Sequence, residues 1–337
     1  MATKKRKNMK KKRNTGSLIL TVFLALIAAA ILVYFAICLA EPIVFGEFSA
    51  NSEAAAAIPG MKEGFIPQGL AYSEDADVYL LCGYMNSSDA SRIYVVSSDG
   101  KAKELRLKNI DGTVYKGHAG GISCYDDHVY LSNAGKIFHI SLSTLLKASD
   151  LQYVKFDGSF DVPCRSSYTF CDGNVLYVGE FHHTGYVTDD SHAVKLSDGS
   201  ENRAMVFGYT LSTDKPMGVF DSSAPKVAYS VRDKVQGFAV MSDGRVALSC
   251  SFGLDDSHLY LYKLSQPVRY TYNDKEIPLY VMEDSLIEKD VKMPFMSEDI
   301  DVIGDSIIIN FESSAVKYGG GMLPFSQKNI VKYNIAG

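Results

Sequence analysis

Gln68-Gly69-Leu70-Ala71-Tyr72 is followed by a tight turn over residues 73–77 and by an apolar run that begins at Val78. The same arrangement returns four times. Gly120-Gly121-Ile122-Ser123-Cys124 precedes a run at Val129, Ser166-Ser167-Tyr168-Thr169-Phe170 one at Val175, Gln236-Gly237-Phe238-Ala239-Val240 one at Val246, and Glu298-Asp299-Ile300-Asp301-Val302 one at Ile307. Two small or polar residues, then period-two alternation, then a turn, describe a β-hairpin. From the first residue of each copy to its second run the distance is 10, 9, 9, 10 and 9 residues, so one hairpin is being repeated. The second runs lie 51, 46, 71 and 61 residues apart, which assigns the length variation to outer loops.

Further strand-like segments follow each hairpin, at 92–96 and 103–107, 136–141 and 153–156, 203–211 and 226–231, and 258–264 and 278–282. Four strands per unit is the blade of a propeller. The last unit supplies only three, ending at 329–335, and the missing outer strand is expected from residues 55–64, which would close the ring and remove open edges. The expected fold class is all-β, a five-bladed β-propeller preceded by one N-terminal transmembrane helix. The absence of Trp-Asp dipeptides argues against the WD type of repeat.

Upstream, residues 50–61 (ANSEAAAAIPGM) read as a spacer. The 23 residues 18–40 carry no formal charge and are nearly all apolar, enough to cross a hydrocarbon core of about 30 Å. Residues 4–13 (KKRKNMKKKR) place eight Lys/Arg directly before them, so the positive-inside rule keeps the N-terminus in the cytoplasm and everything after Glu41 outside. A cleaved secretory signal shares the basic-then-apolar order, but its apolar region runs only about 7–15 residues. Both arrangements put the large domain on the same side. The layout expected is a basic tail at 1–16, a single-pass signal-anchor helix in the cell membrane at 17–40, a spacer with the ring-closing strand at 41–63, and the propeller at 64–337.

The formal charge of −5 belongs to an acidic domain and a basic tail. The domain has no Lys/Arg stripe, which excludes nucleic acid as a partner, and the tail suits anionic lipid. Of six cysteines, Cys38 lies in the span and five remain outside, an odd set that gives no disulfide framework; Cys82, Cys124 and Cys250 fall in apolar strand runs and read as buried thiols.

The first strand of each blade lines a propeller's central channel, so the leading residues Gln68, Gly120, Ser166, Gln236 and Glu298 are expected around one axis, with His118, Arg165 and Asp299 beside them. The ends of the second strands carry Tyr84, Asn133, Glu180, Ser251 and Glu312 to the funnel mouth. A cluster of Glu180, Glu298 and Glu312 would retain a proton near neutral pH, as a general acid or base requires, or would pair with Arg165 as a structural network. Glu298 and Glu180 are the expected acid/base residues, with Gln68, His118, Arg165, Gln236, Asp299 and Glu312 binding ligand. His182, His183 and His192 are metal-binding residue types without a diagnostic spacing, because adjacent residues on a strand point to opposite faces. Calcium on oxygen donors at the channel is a separate expectation, although no Asp-rich calcium loop occurs. Gly319-Gly320-Gly321 is a turn rather than a phosphate loop, and no Gly-x-Ser-x-Gly elbow is present.

The phrases Ile66-Pro67-Gln68-Gly69-Leu70, Gln236-Gly237-Phe238 and Glu298-Asp299-Ile300-Asp301 resemble the blade starts of plant- and bacterial-type glutamine cyclotransferases, five-bladed propellers that close N-terminal glutamine into pyroglutamate with a carboxylate in the funnel. The chain is also similar to secreted bacterial propellers with a Pro-Gln-Gly-Leu start and a His-Ala-Gly-Gly-Ile second blade. Three functions follow as expectations. One is an extracytoplasmic propeller holding a cell-envelope ligand or protein partner on its long loops at 182–203 and 266–293. The second is a cyclotransferase or hydrolase that uses Glu298 or Glu180, and the third a calcium-dependent lactonase or esterase.

Overall fold

A computed structural model describes residues 2–335, with side chains from Thr15 onward, as two compact units that divide between Gly46 and Glu47. The first holds a long helix, Ala2–Leu39, followed by the short helix Glu41–Val44; the portion Thr15–Leu39 contains an 18-residue window of mean hydropathy 2.9 and buries none of its side chains. That segment is a membrane-span candidate by length and composition. The side chains of the basic run at 4–13, on which the expected orientation rests, lie outside the described residues.

The second unit is an all-β, five-bladed propeller. Its inner hairpins are Phe65–Ser73 with Val78–Met85, Gly121–Tyr125 with His128–Asn133, Tyr168–Cys171 with Val175–Gly179, Val235–Val240 with Val246–Cys250, and Ser297–Ile303 with Ser306–Phe311. The inner strands neighbour one another from first to fifth and back to the first, so the ring is closed. Ser52–Ala57 pairs antiparallel with Asn329–Asn334 and supplies the outer strand of the fifth blade.

The closing strand lies at 52–57 rather than the expected 55–64, and two other outer strands change blade. The segment read at 153–156 leaves the second blade: Tyr153–Lys155 pairs in parallel with Ala102–Lys108 of the first, and Gly158–Asp161 takes the outer place. The segment read at 278–282 likewise leaves the fourth blade. Lys275–Val281 pairs in parallel with Val227–Val231 of the third, and Ile287–Met293 completes the fourth. Apolar alternation identifies a strand but not its neighbour, and a parallel addition needs only a connection long enough to cross over.

Backbone-to-backbone packing explains the small residue that recurs in the repeat. A Cβ on Gly69 would lie 2.5 Å from the amide nitrogen of Ile122 in the next blade; on Gly121 it would meet that of Thr169 at 2.6 Å, and on Gly237 that of Ile300 at 2.7 Å. Between fifth and first blades carboxylates bridge instead. Asp299 Oδ2 accepts from Leu70 N (3.3 Å) and Asp301 Oδ2 from Tyr72 N (2.7 Å). Further out, apolar layers fill the spaces between blades, such as Leu80, Ile93, Ile122, Leu131 and Phe156 between first and second. Cys82 and Cys250 are buried free thiols within this packing, as expected, and so is Cys164, whereas Cys124 is part-buried.

Candidate functional site

Each inner strand is entered through a residue in left-handed conformation one or two positions before it: Gly64, Ala119, Ser166, Lys234 and Met296, with φ of 95°, 54°, 47°, 67° and 60°. Four of the five are not glycine, a local cost that tertiary packing must offset. In the first, fourth and fifth blades the register also slips at the start of the strand, between Pro67 and Gly69, Val235 and Gly237, and Ser297 and Ile300. A bulge leaves a residue without a cross-strand partner and re-aims its side chain. Gln68, Gln236 and Glu298 occupy those positions, and all three line a central funnel of about 480 Å³.

The floor of the funnel is a carboxyl pair. Glu298 is 4% exposed and hydrogen-bonds Glu312; burial, then the charge of Glu312, pushes its carboxyl well above the usual range. Burial pushes Glu312 up to about 7, against the hydrogen bonds it receives from Tyr318 and from Gln68 Nε2 (2.9 Å). Two buried carboxyls in contact cannot both ionise cheaply, so the pair keeps a proton at neutral pH. The charge of Lys317 acts on both carboxyls. Its Nζ donates to Tyr84 Oη (2.5 Å) and lies 5.1 and 5.0 Å from the ring centroids of Tyr84 and Tyr318.

The walls have two characters. On one side His118 stacks on Tyr84 with centroids 4.7 Å apart, and its amide donates to Asn133 Oδ1. The surrounding protein, then Lys317, lowers the pKa of its imidazole, so the ring is neutral. On the other side the wall is aromatic: Phe181 packs edge-on against Tyr186 and stacks at 6.2 Å on Phe252, whose ring also stacks on His183 at 3.9 Å. Arg165 stands at the mouth, its Nη1 donating to the carbonyl of Val187 (2.8 Å).

The funnel thus brings together Gln68, His118, Arg165, Gln236, Glu298 and Glu312, and leaves out Glu180 and Asp299. Glu180 is 1% exposed and points away, accepting from His192 Nδ1 (2.5 Å), Arg165 N and Met205 N. Its carboxylate is committed to holding the loop that contains His192. Asp299 serves the junction of fifth and first blades. Of the other histidines, His182 pairs with Asp233 at 2.7 Å. Among the described residues no group of three or more His, Cys, Asp or Glu side chains is arranged to hold a metal ion.

Lys317, Tyr318, Phe252 and Tyr186 are funnel residues that sequence reasoning does not single out. They sit on connections after second strands, where no periodicity marks a side chain's direction. The usable signal is position: each follows the end of a second strand by a few residues.

No protein-family model matches the chain, and no curated protein sequence matches it. Solved structures do. The PQQ-bound aldose sugar dehydrogenase of Streptomyces coelicolor is 14% identical, with a TM-score of 0.46 over 84% of this chain and 96% of that one. A putative glucose dehydrogenase of Thermus thermophilus is 13% identical, with a TM-score of 0.41 over 83% and 98%. BamB of Moraxella catarrhalis is 10% identical, with a TM-score of 0.31 over 80% and 82%. With TM-scores below 0.5 and identities of 14% or less, these likenesses carry no argument about this chain's chemistry.

Proposed function

We propose that this chain is a single-pass membrane protein, basic tail in the cytoplasm and propeller outside, whose funnel binds a small ligand or chain end and performs proton-transfer chemistry on it. The observation that carries this reading is the Glu298–Glu312 pair: a buried, proton-sharing carboxyl couple at the floor of an open funnel supplies an acid and a base side by side. The reaction it suits best is closure of an N-terminal glutaminyl residue. The α-amine attacks the side-chain carboxamide carbon, the C–N bond to the amide nitrogen breaks, and ammonia leaves. Glu298 gives its proton to the departing nitrogen and the pair recovers one from the attacking amine. Gln68, held on Glu312, and Gln236 orient the substrate carboxamide, and the Phe181–Phe252 wall covers its aliphatic part.

The test is ammonia release from the dipeptide Gln-Gly by the full-length protein in detergent. Turnover that falls about 10²- to 10⁴-fold in Glu298→Gln, with an unchanged melting profile, supports the role. Unchanged turnover in that variant removes it. A second reading, a binding propeller for a cell-envelope ligand or protein, is favoured by the aromatic rim at Tyr186 and Phe252, and is the outcome if peptides bind the funnel without releasing ammonia.

A further inference from the structure

A second cavity, of about 600 Å³, adjoins the funnel and shares two of its lining residues, Ser251 and Phe252. It lies over the connection from third to fourth blade (Arg232, Asp233, Lys234) and the loop after Val246–Cys250 (Asp255, Asp256). Ser251 is 3% exposed and faces both cavities; its amide donates to Lys234 O, while its hydroxyl has no hydrogen-bond partner among the described residues. A hydroxyl that opens onto both cavities and is not taken up by a protein partner is available to a ligand that crosses from one to the other.

The charges of the second cavity say what that ligand carries there. Five carboxylates line it (Glu201, Asp233, Asp255, Asp256, Asp284) against two fixed cations, Arg232 and Lys234. Arg232 is engaged: its guanidinium lies 4.0 Å from the ring centroid of Tyr260 and 3.5 Å from Asp284. Lys234 pairs with Asp255, and from outside the cavity Lys292 pairs with Asp256, Arg203 with Glu201, and His182 with Asp233. The four aspartates nevertheless keep side chains 43–73% exposed, so each has room for a further donor.

We infer that the funnel and this cleft form one extended site for a peptide, whose amino-terminal residue occupies the funnel, whose backbone passes Ser251 and Phe252, and whose following residues are basic. The inference rests on the funnel being the ligand site proposed above. It makes the cleft, rather than the funnel, the part that selects among peptides, through exposed charge pairs that salt weakens.

The experiment compares Gln-Gly with Gln-Gly-Lys-Lys, Gln-Gly-Ser-Ser and Gln-Gly-Glu-Glu, by calorimetric binding to the full-length protein in detergent at low and high salt, in Glu298→Gln, where peptides are not consumed, and in that variant with Asp255→Asn/Asp256→Asn added. The expected result is an affinity for the Lys-Lys peptide about tenfold above that for Ser-Ser, shrinking with salt and with the added aspartate substitutions, while Gln-Gly binding stays constant. Equal affinities for the three tetrapeptides, or a Lys-Lys advantage that survives the aspartate substitutions, would overturn the extended site while leaving the funnel reading in place if Gln-Gly still binds. Failure of every peptide to bind, or preferential binding of a neutral tetrasaccharide, would overturn both.

Discussion

Glu298 and Glu312 bury two carboxyls where one proton serves both, and that has a consequence for stability. Glu298 is pushed well above its ordinary value and Glu312 up to about 7. Groups whose pKa is raised on folding stabilise the fold fully below the unfolded value, about 4.3, and lose that contribution as pH rises through the folded value. Melting temperature is therefore expected to fall from about pH 4.5 to 7.5, and Glu298→Gln, which mimics the protonated acid, flattens the slope. A slope identical to wild type in thermal melts across that range would contradict the shared proton. His139 acts in the opposite sense. Its ring is buried with Nε2 2.8 Å from His128 Nδ1, and burial, then His128, lowers its pKa. Its contribution is present above the unfolded value, about 6.5, and is lost as pH falls, so His139→Asn is expected to blunt acid destabilisation in the same melts even as it lowers stability at pH 8. At this scale the sequence is partly legible. Gln68, Gln236 and Glu298 can be placed because the repeat numbers them. Glu180 lies away from the funnel because a position at a strand end says where the backbone leads, not which neighbour takes the carboxylate.

The inner strands approach so closely that the second residue of the hairpin motif has no room for a side chain in three blades. Gly69→Ala and Gly237→Ala each force a methyl against backbone nitrogen at 2.5 and 2.7 Å, and neither neighbour is a flexible side-chain end. Each is expected to cost about 2–3 kcal/mol in chemical denaturation, as overpacking does. Gly185→Ala, with nothing within 4 Å, is the control and is expected to fall within about 0.5 kcal/mol of wild type. This recurrence of small residues is visible in sequence as a pattern; that the glycines record strand-to-strand contact at three junctions, while Asp299 and Asp301 bridge the fifth and first blades, is not. Nor are the parallel additions of Tyr153–Lys155 and Lys275–Val281 to the preceding blades, since an edge strand accepts any extended segment that reaches it.

For the whole molecule, ring closure depends on Ser52–Ala57 pairing with Asn329–Asn334, the two ends of the propeller. A chain beginning at residue 47 is expected to unfold cooperatively, whereas one beginning at residue 58 leaves the strand at 329–334 with an open edge and is expected to melt lower and to aggregate, read by light scattering during a thermal scan. Equal melting of the two would show that the fifth blade closes without its outer strand. Length, apolar content and the order basic-then-apolar determined the candidate membrane segment, and the hairpin repeat determined the propeller and its blade count. Both are local properties, written in consecutive residues by the periods of helix and strand. The site was decided by tertiary structure. Gln68 and Glu312 are 244 residues apart and meet only because five blades close on themselves. The proton shared on the funnel floor depends on burial and on the distance between two carboxyls, and both of those come into being when the ring closes.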